Sequence, residues 1–237
     1  MIISHHNYKC IMTRRNHLYG IAGVDEAGRG PMIGPMVICG VLLDPDAIPR
    51  LEEFGAKDSK TLSPSRRLSL SKKIEGLAVK IEIRSVSAEN IDRLRKRTTL
   101  NEIEVAEFVS VVKSLNPQEV YLDAADVNAE RFGNKIGELS GLTAKGSIIV
   151  SEHKADSKYP IVSAASILAK VERDRIIVEM HQEYGDFGSG YPSDPKTRQF
   201  VRDLIKNRRK LPLIIRKSWD SVRKIRESVE QSTLDSF

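Results

Sequence analysis

Apolar and polar positions change period several times along the chain. Ile21 to Val24 is a short apolar run, and Met36 to Leu43 is a second one rich in β-branched residues. Gly28, Gly30, Pro31, Gly34 and Pro35 lie between them, which predicts strand, loop, strand. Ser63-Pro64 predicts a helix N-cap followed by proline at the first helical position, with Leu68, Ile74 and Leu77 turned toward the core. Residues 79–86 alternate apolar and polar, as a half-buried strand does. Between Thr99 and Leu115, apolar residues recur at Leu100, Ile103, Ala106 and Val109, a helical spacing. Val120-Tyr121-Leu122 predicts a short buried strand ending at Asp123, Asn128 to Leu139 a helix, and Ile148-Ile149-Val150 another buried strand. Pro160 to Met180 predicts a long helix whose small residues Ala164, Ala165 and Ala169 suit close packing on a sheet. Residues 185–195 form a Gly/Pro loop, and two basic helices follow, broken at Leu211-Pro212.

Strands come first, then helix and strand alternate, then helices close the chain. That order predicts an α/β domain with a mixed sheet and a helical C-terminal lobe. Residues 1–19 show no clean period and lack the long apolar stretch of a secretory signal. His5-His6 there reads as tail, and Met12 is a second candidate start. With 40% apolar residues the 237-residue chain supports a sizeable core, and it has no apolar run of the ~18 residues that cross a bilayer. Composition therefore argues against a membrane protein, a collagen-like fibre and a disulfide-stapled miniprotein. The two cysteines, Cys10 and Cys39, are too few for a disulfide framework or a structural zinc site, which fits a reducing compartment such as the cytoplasm.

The charge is modest in total and uneven in place. Lys and Arg number 38 against 32 Asp and Glu, a formal net charge of +6. Residues 196–226 alone hold twelve Lys or Arg, against the two acids Asp203 and Asp220. Two readings carry equal weight on charge alone: a polyanionic partner such as nucleic acid, or a solvated helix face.

Several acids sit beside apolar strands. Asp25 and Glu26 follow the first strand, Asp123 ends another, and Asp156 lies in the loop His153-Lys154-Ala155-Asp156 before the long helix. Carboxylates in such places are costly without a cationic partner. Four converging acids would call for hard divalent ions such as Mg²⁺ or Mn²⁺, and two ions ~3.5–4 Å apart are a standard device for hydrolysing phosphodiesters. The alternative is that each acid caps a helix or pairs with an arginine. Asp126 and Glu152 compete with Asp123 and Asp156, and spacing alone does not choose among them. The loop Gly28-Arg29-Gly30 lets backbone approach a ligand and offers Arg29 to a phosphate, or it is a plain tight turn. It has neither the P-loop nor the dinucleotide-binding spacing.

Longer motifs change the picture. Gly23-Val24-Asp25-Glu26-Ala27-Gly28-Arg29-Gly30-Pro31 resembles the opening signature of ribonuclease HII, and so do Asp58-Ser59-Lys60, Tyr121-Leu122-Asp123 and His153-Lys154-Ala155-Asp156. The run from Val162 to Asp174 is similar to that family's long helix, and Gly188 to Asp194 to the archaeal-type form of its substrate loop. The resemblance covers about residues 20–226. It implies a ribonuclease H-like fold, cleavage of the RNA strand in RNA–DNA hybrids, and incision on the 5′ side of ribonucleotides embedded in duplex DNA, leaving 3′-hydroxyl and 5′-phosphate ends. It places the four metal-binding catalytic carboxylates on Asp25, Glu26, Asp123 and Asp156, with Mg²⁺ or Mn²⁺, two ions per site. It gives Gly28, Arg29 and Gly30 the reading of the 2′-hydroxyl and Tyr191 the contact to the same sugar, and it makes Lys60, Lys170 and Arg173 backbone-phosphate contacts. The 2′-hydroxyl is what separates RNA from DNA at one site.

The chain then divides into an extension over 1–19, a catalytic domain over 20–190, a basic helical lobe over 191–230 and a tail over 231–237. In that tail Gln231, Leu234 and Phe237 fit the sliding-clamp (PCNA) motif, with one aromatic where two are usual. A frayed terminus is the alternative. Expected partners are hybrids, ribonucleotide-containing duplexes and the clamp, with no membrane, for a monomeric protein. Two other functions remain open at this point: a hybrid-binding protein without catalysis, and a nuclease of the same fold acting on DNA junctions.

Overall fold

The computed structural model describes residues 19–55, 62–207 and 209–234, with the backbone alone for 232–234. Its centre is a mixed five-stranded sheet in the order β3-β2-β1-β4-β5. The strands are β1 Ile21–Ala27, β2 Met36–Leu43, β3 Lys80–Val86, β4 Glu119–Asp123 and β5 Ile148–Glu152. β1, β2 and β3 pair antiparallel, while β4 runs parallel to β1 and β5 parallel to β4. The helices are α1 Ile48–Glu53, α2 Pro64–Leu77, α3 Ala88–Leu94, α4 Leu100–Leu115, α5 Ala129–Ser140, α6 Ala155–Lys158, α7 Pro160–Tyr184, α8 Pro195–Lys206 and α9 Asp220–Leu234.

Local chemistry sets the helix starts. Ser63, Thr99 and Asn128 each accept a hydrogen bond from the backbone N–H three residues on, which satisfies one of the orphan donors of α2, α4 and α5. β2 is buried along its whole length, because helices cover both faces of the sheet. One face carries α4 and α5 over a core of Phe108, Val112, Phe132 and Leu122. The other carries α7 and α2 over Val37, Val41, Leu70 and Ile74. The small-residue stripe of α7 has a counterpart in Gly23: a Cβ there would stand 2.4 Å from the Ile161 backbone. Helix and strand therefore touch backbone to backbone.

A third apolar cluster joins segments far apart in the sequence. Met32, Ile33 and Ile177 pack with Phe187, Val201, Ile214, Ile215 and Ile225. The two basic helices are amphipathic, and they are separated by the whole segment between α8 and α9 rather than by a single break at Leu211-Pro212.

Three local expectations change. Leu68 is 52% exposed and Leu70 takes its place in the core, while Ile74 is buried and Leu77 packs against the same cluster, as expected. Ala106 is exposed, and Val105 and Phe108 fill the core in its place. Asp25 and Glu26 are part of β1, whose pairing with β2 continues to Ala27. Among the described residues no helix is long and apolar enough to cross a membrane.

Candidate active site

The parallel pairing of β1 with β4 brings Asp25 and Asp123 together. Their ladder ends at Val24 opposite Leu122, so the next residue on each strand is an aspartate. In open α/β sheets ligands bind beyond the carboxyl ends of such strands. The third acid arrives by a tight turn. Lys154 adopts the left-handed region at φ 57°, uncommon for a residue with a side chain, and the four-residue α6 begins just after it. The Ala155 N–H donates to Asp123 Oδ1 at 2.9 Å, which seats Asp156 beside the strand end. One carboxylate oxygen each from Asp25, Asp123 and Asp156 lie within 4.8 Å of one another. Glu26 lies outside that group of three, since successive residues of a strand point to opposite faces.

The electrostatics follow from burial. Asp25 is 4% exposed, and its carboxyl is pushed up to about 7, first by burial and then by the charge of Asp123. Hydrogen bonds from the Ser166 hydroxyl and the Glu26 N–H pull the other way. Glu26 is raised by burial, then by the charges of Asp25 and Glu104, and its buried Oε2 has no hydrogen-bond partner. Three crowded aspartate oxygens, with the orphaned Glu26 oxygen on the adjoining residue, are the donor chemistry that hard divalent cations take. The competing acids are used otherwise. Asp126 accepts from Arg131 at 2.6 Å, Asn101 and the Asn128 N–H. Glu152 pairs with Lys158 and accepts from the Tyr159 hydroxyl at 2.7 Å.

The loop after β1 is shaped by contact. Gly28 has φ 83°, and a Cβ on it would stand 2.5 Å from both Arg173 Nε and the Pro35 carbonyl. Gly30 is exposed, and a Cβ there would meet nothing within 4 Å, so the space beside it is open. Arg29 is engaged inside the protein: its Nε donates to Glu104 Oε1 at 2.7 Å and its Nη2 to Asn101 Oδ1 at 2.7 Å. Glu104 is fully buried, and burial lifts its carboxyl to about 7 against the pull of Arg29.

Tyr191 stands 38% exposed on the loop before α8. Arg173, expected at a phosphate, is 5% exposed and turned inward. Its guanidinium carbon lies 5.0 Å from the centre of the Tyr191 ring, and its Nη2 donates to the Ser189 carbonyl at 3.3 Å. Lys170 is half-buried on α7. Lys60 and Phe237 lie outside the described residues, as does the side chain of Leu234; Gln231 is exposed on α9. Sequence reasoning missed Ser166, Glu104 and above all Arg216. That arginine is fully buried, and its three nitrogens donate to the carbonyls of Gly34 at 3.0 Å, Arg29 at 2.9 Å and Gly28 at 2.6 Å. It therefore leaves the set of twelve basic residues available to a polyanion.

A mixed sheet covered on both faces, with aspartates gathered at the ends of adjacent parallel strands, defines a ribonuclease H-like enzyme with an acidic, metal-compatible site. The family model described as Ribonuclease HII matches residues 22–222. The chain belongs to the ribonuclease HII family and is a hydrolase, a divalent-metal-dependent nuclease. It is 48% identical over 223 residues to the ribonuclease HII of Pyrococcus furiosus, covering 92% of this chain and 97% of that one. The crystal structure of ribonuclease H2 from Pyrococcus horikoshii superposes with a TM-score of 0.81 at 44% identity, covering 89% of this chain and 99% of that one. The ribonuclease HII of Archaeoglobus fulgidus, solved as a complex with PCNA, matches with a TM-score of 0.81 at 42% identity, covering 92% of this chain and 100% of that one.

Proposed function

We propose that this protein is an endoribonuclease that hydrolyses the RNA strand of RNA–DNA hybrids and incises on the 5′ side of ribonucleotides embedded in duplex DNA, leaving 3′-hydroxyl and 5′-phosphate ends. The observation that carries this reading is the meeting of Asp25, Asp123 and Asp156 at one sheet end, directly beside the open Gly28–Gly30 loop. Asp25, Glu26, Asp123 and Asp156 would hold Mg²⁺ or Mn²⁺, two ions in the full site. Ions bound there would supply Lewis-acid chemistry for phosphodiester hydrolysis.

The chain's own groups do the rest. Backbone groups of Gly28, Arg29 and Gly30 meet the 2′-hydroxyl, and Tyr191 packs on the same sugar with its hydroxyl within reach. Lys60 and Lys170 contact backbone phosphates, which gives affinity without sequence choice. Arg29 and Arg173 act from behind, since the first is paired with Glu104 and the second lies under Tyr191. Gln231, Leu234 and Phe237 dock on a sliding clamp, a reading supported by the tail pattern and by the clamp complex solved for the Archaeoglobus relative. The protein acts as a monomer in the cytoplasm.

The test is a duplex with one embedded ribonucleotide. Nicking 5′ to that residue, dependent on Mg²⁺ or Mn²⁺, is expected. No cleavage with either ion by folded protein overturns the reading.

A further inference from the structure

We infer that Arg216 and Trp219 are positioning residues for sugar discrimination: the C-terminal lobe grips the carbonyls of the Gly28–Gly34 loop and so aims its N–H groups at the ribose. The inference rests on the proposed reading of that loop and adds what holds it in shape.

Five pieces of geometry support it. Arg216 donates to the carbonyls of Gly28, Arg29 and Gly34 from its three separate nitrogens. Trp219 Nε1 donates to the Gly30 carbonyl at 3.2 Å, completing the run Gly28, Arg29, Gly30. The two side chains brace each other, the Arg216 guanidinium lying 4.8 Å from the Trp219 ring centre. Arg95 closes on the same ring at 4.9 Å and donates to the Ser218 carbonyl at 3.0 Å. Asp92 of α3 accepts from the Lys217 and Ser218 amides at 2.8 and 3.0 Å, so the turn that carries both side chains is itself tied down.

A guanidinium presents its donors in a rigid planar fork, which orients several acceptors at once. Burying this cation is costly, and burial pushes Arg216 down to about 9, so it stays charged at neutral pH. An apolar side chain would fill the space at lower cost but would leave the carbonyls free to rotate. A trans peptide points its C=O and N–H in opposite directions. Holding the Gly28 and Arg29 carbonyls toward Arg216 therefore turns the Arg29 and Gly30 N–H groups away from the lobe. Gly30 is exposed with open space beside it, as a site for an incoming sugar needs. A site built to hydrogen-bond a hydroxyl rejects the analogue lacking it, and a loop displaced by about 1 Å loses much of that advantage.

The experiment compares wild type, Trp219→Phe and Arg216→Lys as full chains with Mn²⁺. Phenylalanine keeps an aromatic face for Arg216 and removes the N–H; lysine keeps the charge and removes the fork. Discrimination is read as the inhibition constant of an all-DNA duplex divided by KM for the same duplex with one ribonucleotide. Trp219→Phe is expected to lower the ratio about threefold and Arg216→Lys about tenfold, through KM, with the all-DNA constant unchanged. A ratio equal to wild type in a folded Trp219→Phe overturns the inference, and that variant decides alone if Arg216→Lys does not fold. A wild type that binds both duplexes alike overturns the sugar-reading function itself, and the inference with it.

Discussion

The Ala155 amide donates to Asp123 Oδ1 at 2.9 Å, so the strand end that carries one aspartate anchors the start of the short helix that carries another. Asp123 thus combines a charge for a cation with an acceptor for the backbone. Asp123→Asn keeps the acceptor and loses the charge, while Asp123→Ala loses both. Both variants are expected to lose metal-dependent cleavage. Only the alanine variant should also lose stability, about 1–2 kcal/mol for a part-buried amide left without its partner. Thermal unfolding of the pair checks this, and equal melting temperatures would remove the anchoring role.

The close approach of β1 and α7 predicts a strong effect from a single methyl group. A Cβ at Gly23 would stand 2.4 Å from the Ile161 backbone, and backbone cannot swing aside as a side chain can. Gly23→Ala should cost about 2–4 kcal/mol, at the upper end for overpacking. Denaturant unfolding measures it; a loss under about 0.5 kcal/mol would show that the helix slides freely.

Asp194 links the tyrosine loop to α8. Its Oδ2 accepts from the Ser189 N–H at 2.7 Å and the Ser189 hydroxyl at 2.8 Å, and these bonds hold its carboxyl at about 2 instead of the ordinary 3.8. The native carboxylate is favoured over the unfolded one, so the stabilisation is complete above pH ~4 and lost as pH falls toward 2. Asp194→Asn removes the titration. The wild-type melting temperature should fall more steeply than the variant's across that window, and parallel curves would refute the linkage.

Tyr191→Phe retains the ring over Arg173 and removes the hydroxyl. Folding should be unchanged, and incision at a single ribonucleotide should slow about tenfold, the order expected for one lost hydrogen bond in a closed site. An unchanged rate would leave Tyr191 as a packing residue.

For the tail, Phe237→Ala should weaken clamp binding about tenfold or more, as for a central aromatic anchor, and leave clamp-free cleavage untouched. Co-elution with an archaeal clamp reads the first, and the single-ribonucleotide assay the second.

Much of the fold was legible because it is written locally. The β-branched run at Met36–Leu43 and the caps Ser63, Thr99 and Asn128 declare their elements within a few residues. In α2 Ile74 and Leu77 face the core as their spacing says, and Leu68 misled because Leu70 and Ser71 fill the turn before them. The acids were harder. Asp126 and Asp123 look alike by position, and what separates them is that Arg131 and Asn101 already occupy the first. The long motifs pointed to Asp123 and Asp156 where spacing did not choose. Arg216 was beyond local reading, because nothing nearby distinguishes it from the other basic residues of 196–226. The carbonyls that define its role lie 182 to 188 positions earlier in the chain.

That separation also orders the events of the protein's making. A nascent chain emerges from the ribosome with Asp25, Glu26, Asp123 and Asp156 long before Arg216 and Trp219. The three aspartates that meet at the sheet end all precede α7, whereas the side chains that hold the carbonyls of the Gly28–Gly34 loop follow α8. A chain that ends before Arg216 would therefore carry all four acids and lack the side chain that holds the Gly28, Arg29 and Gly34 carbonyls.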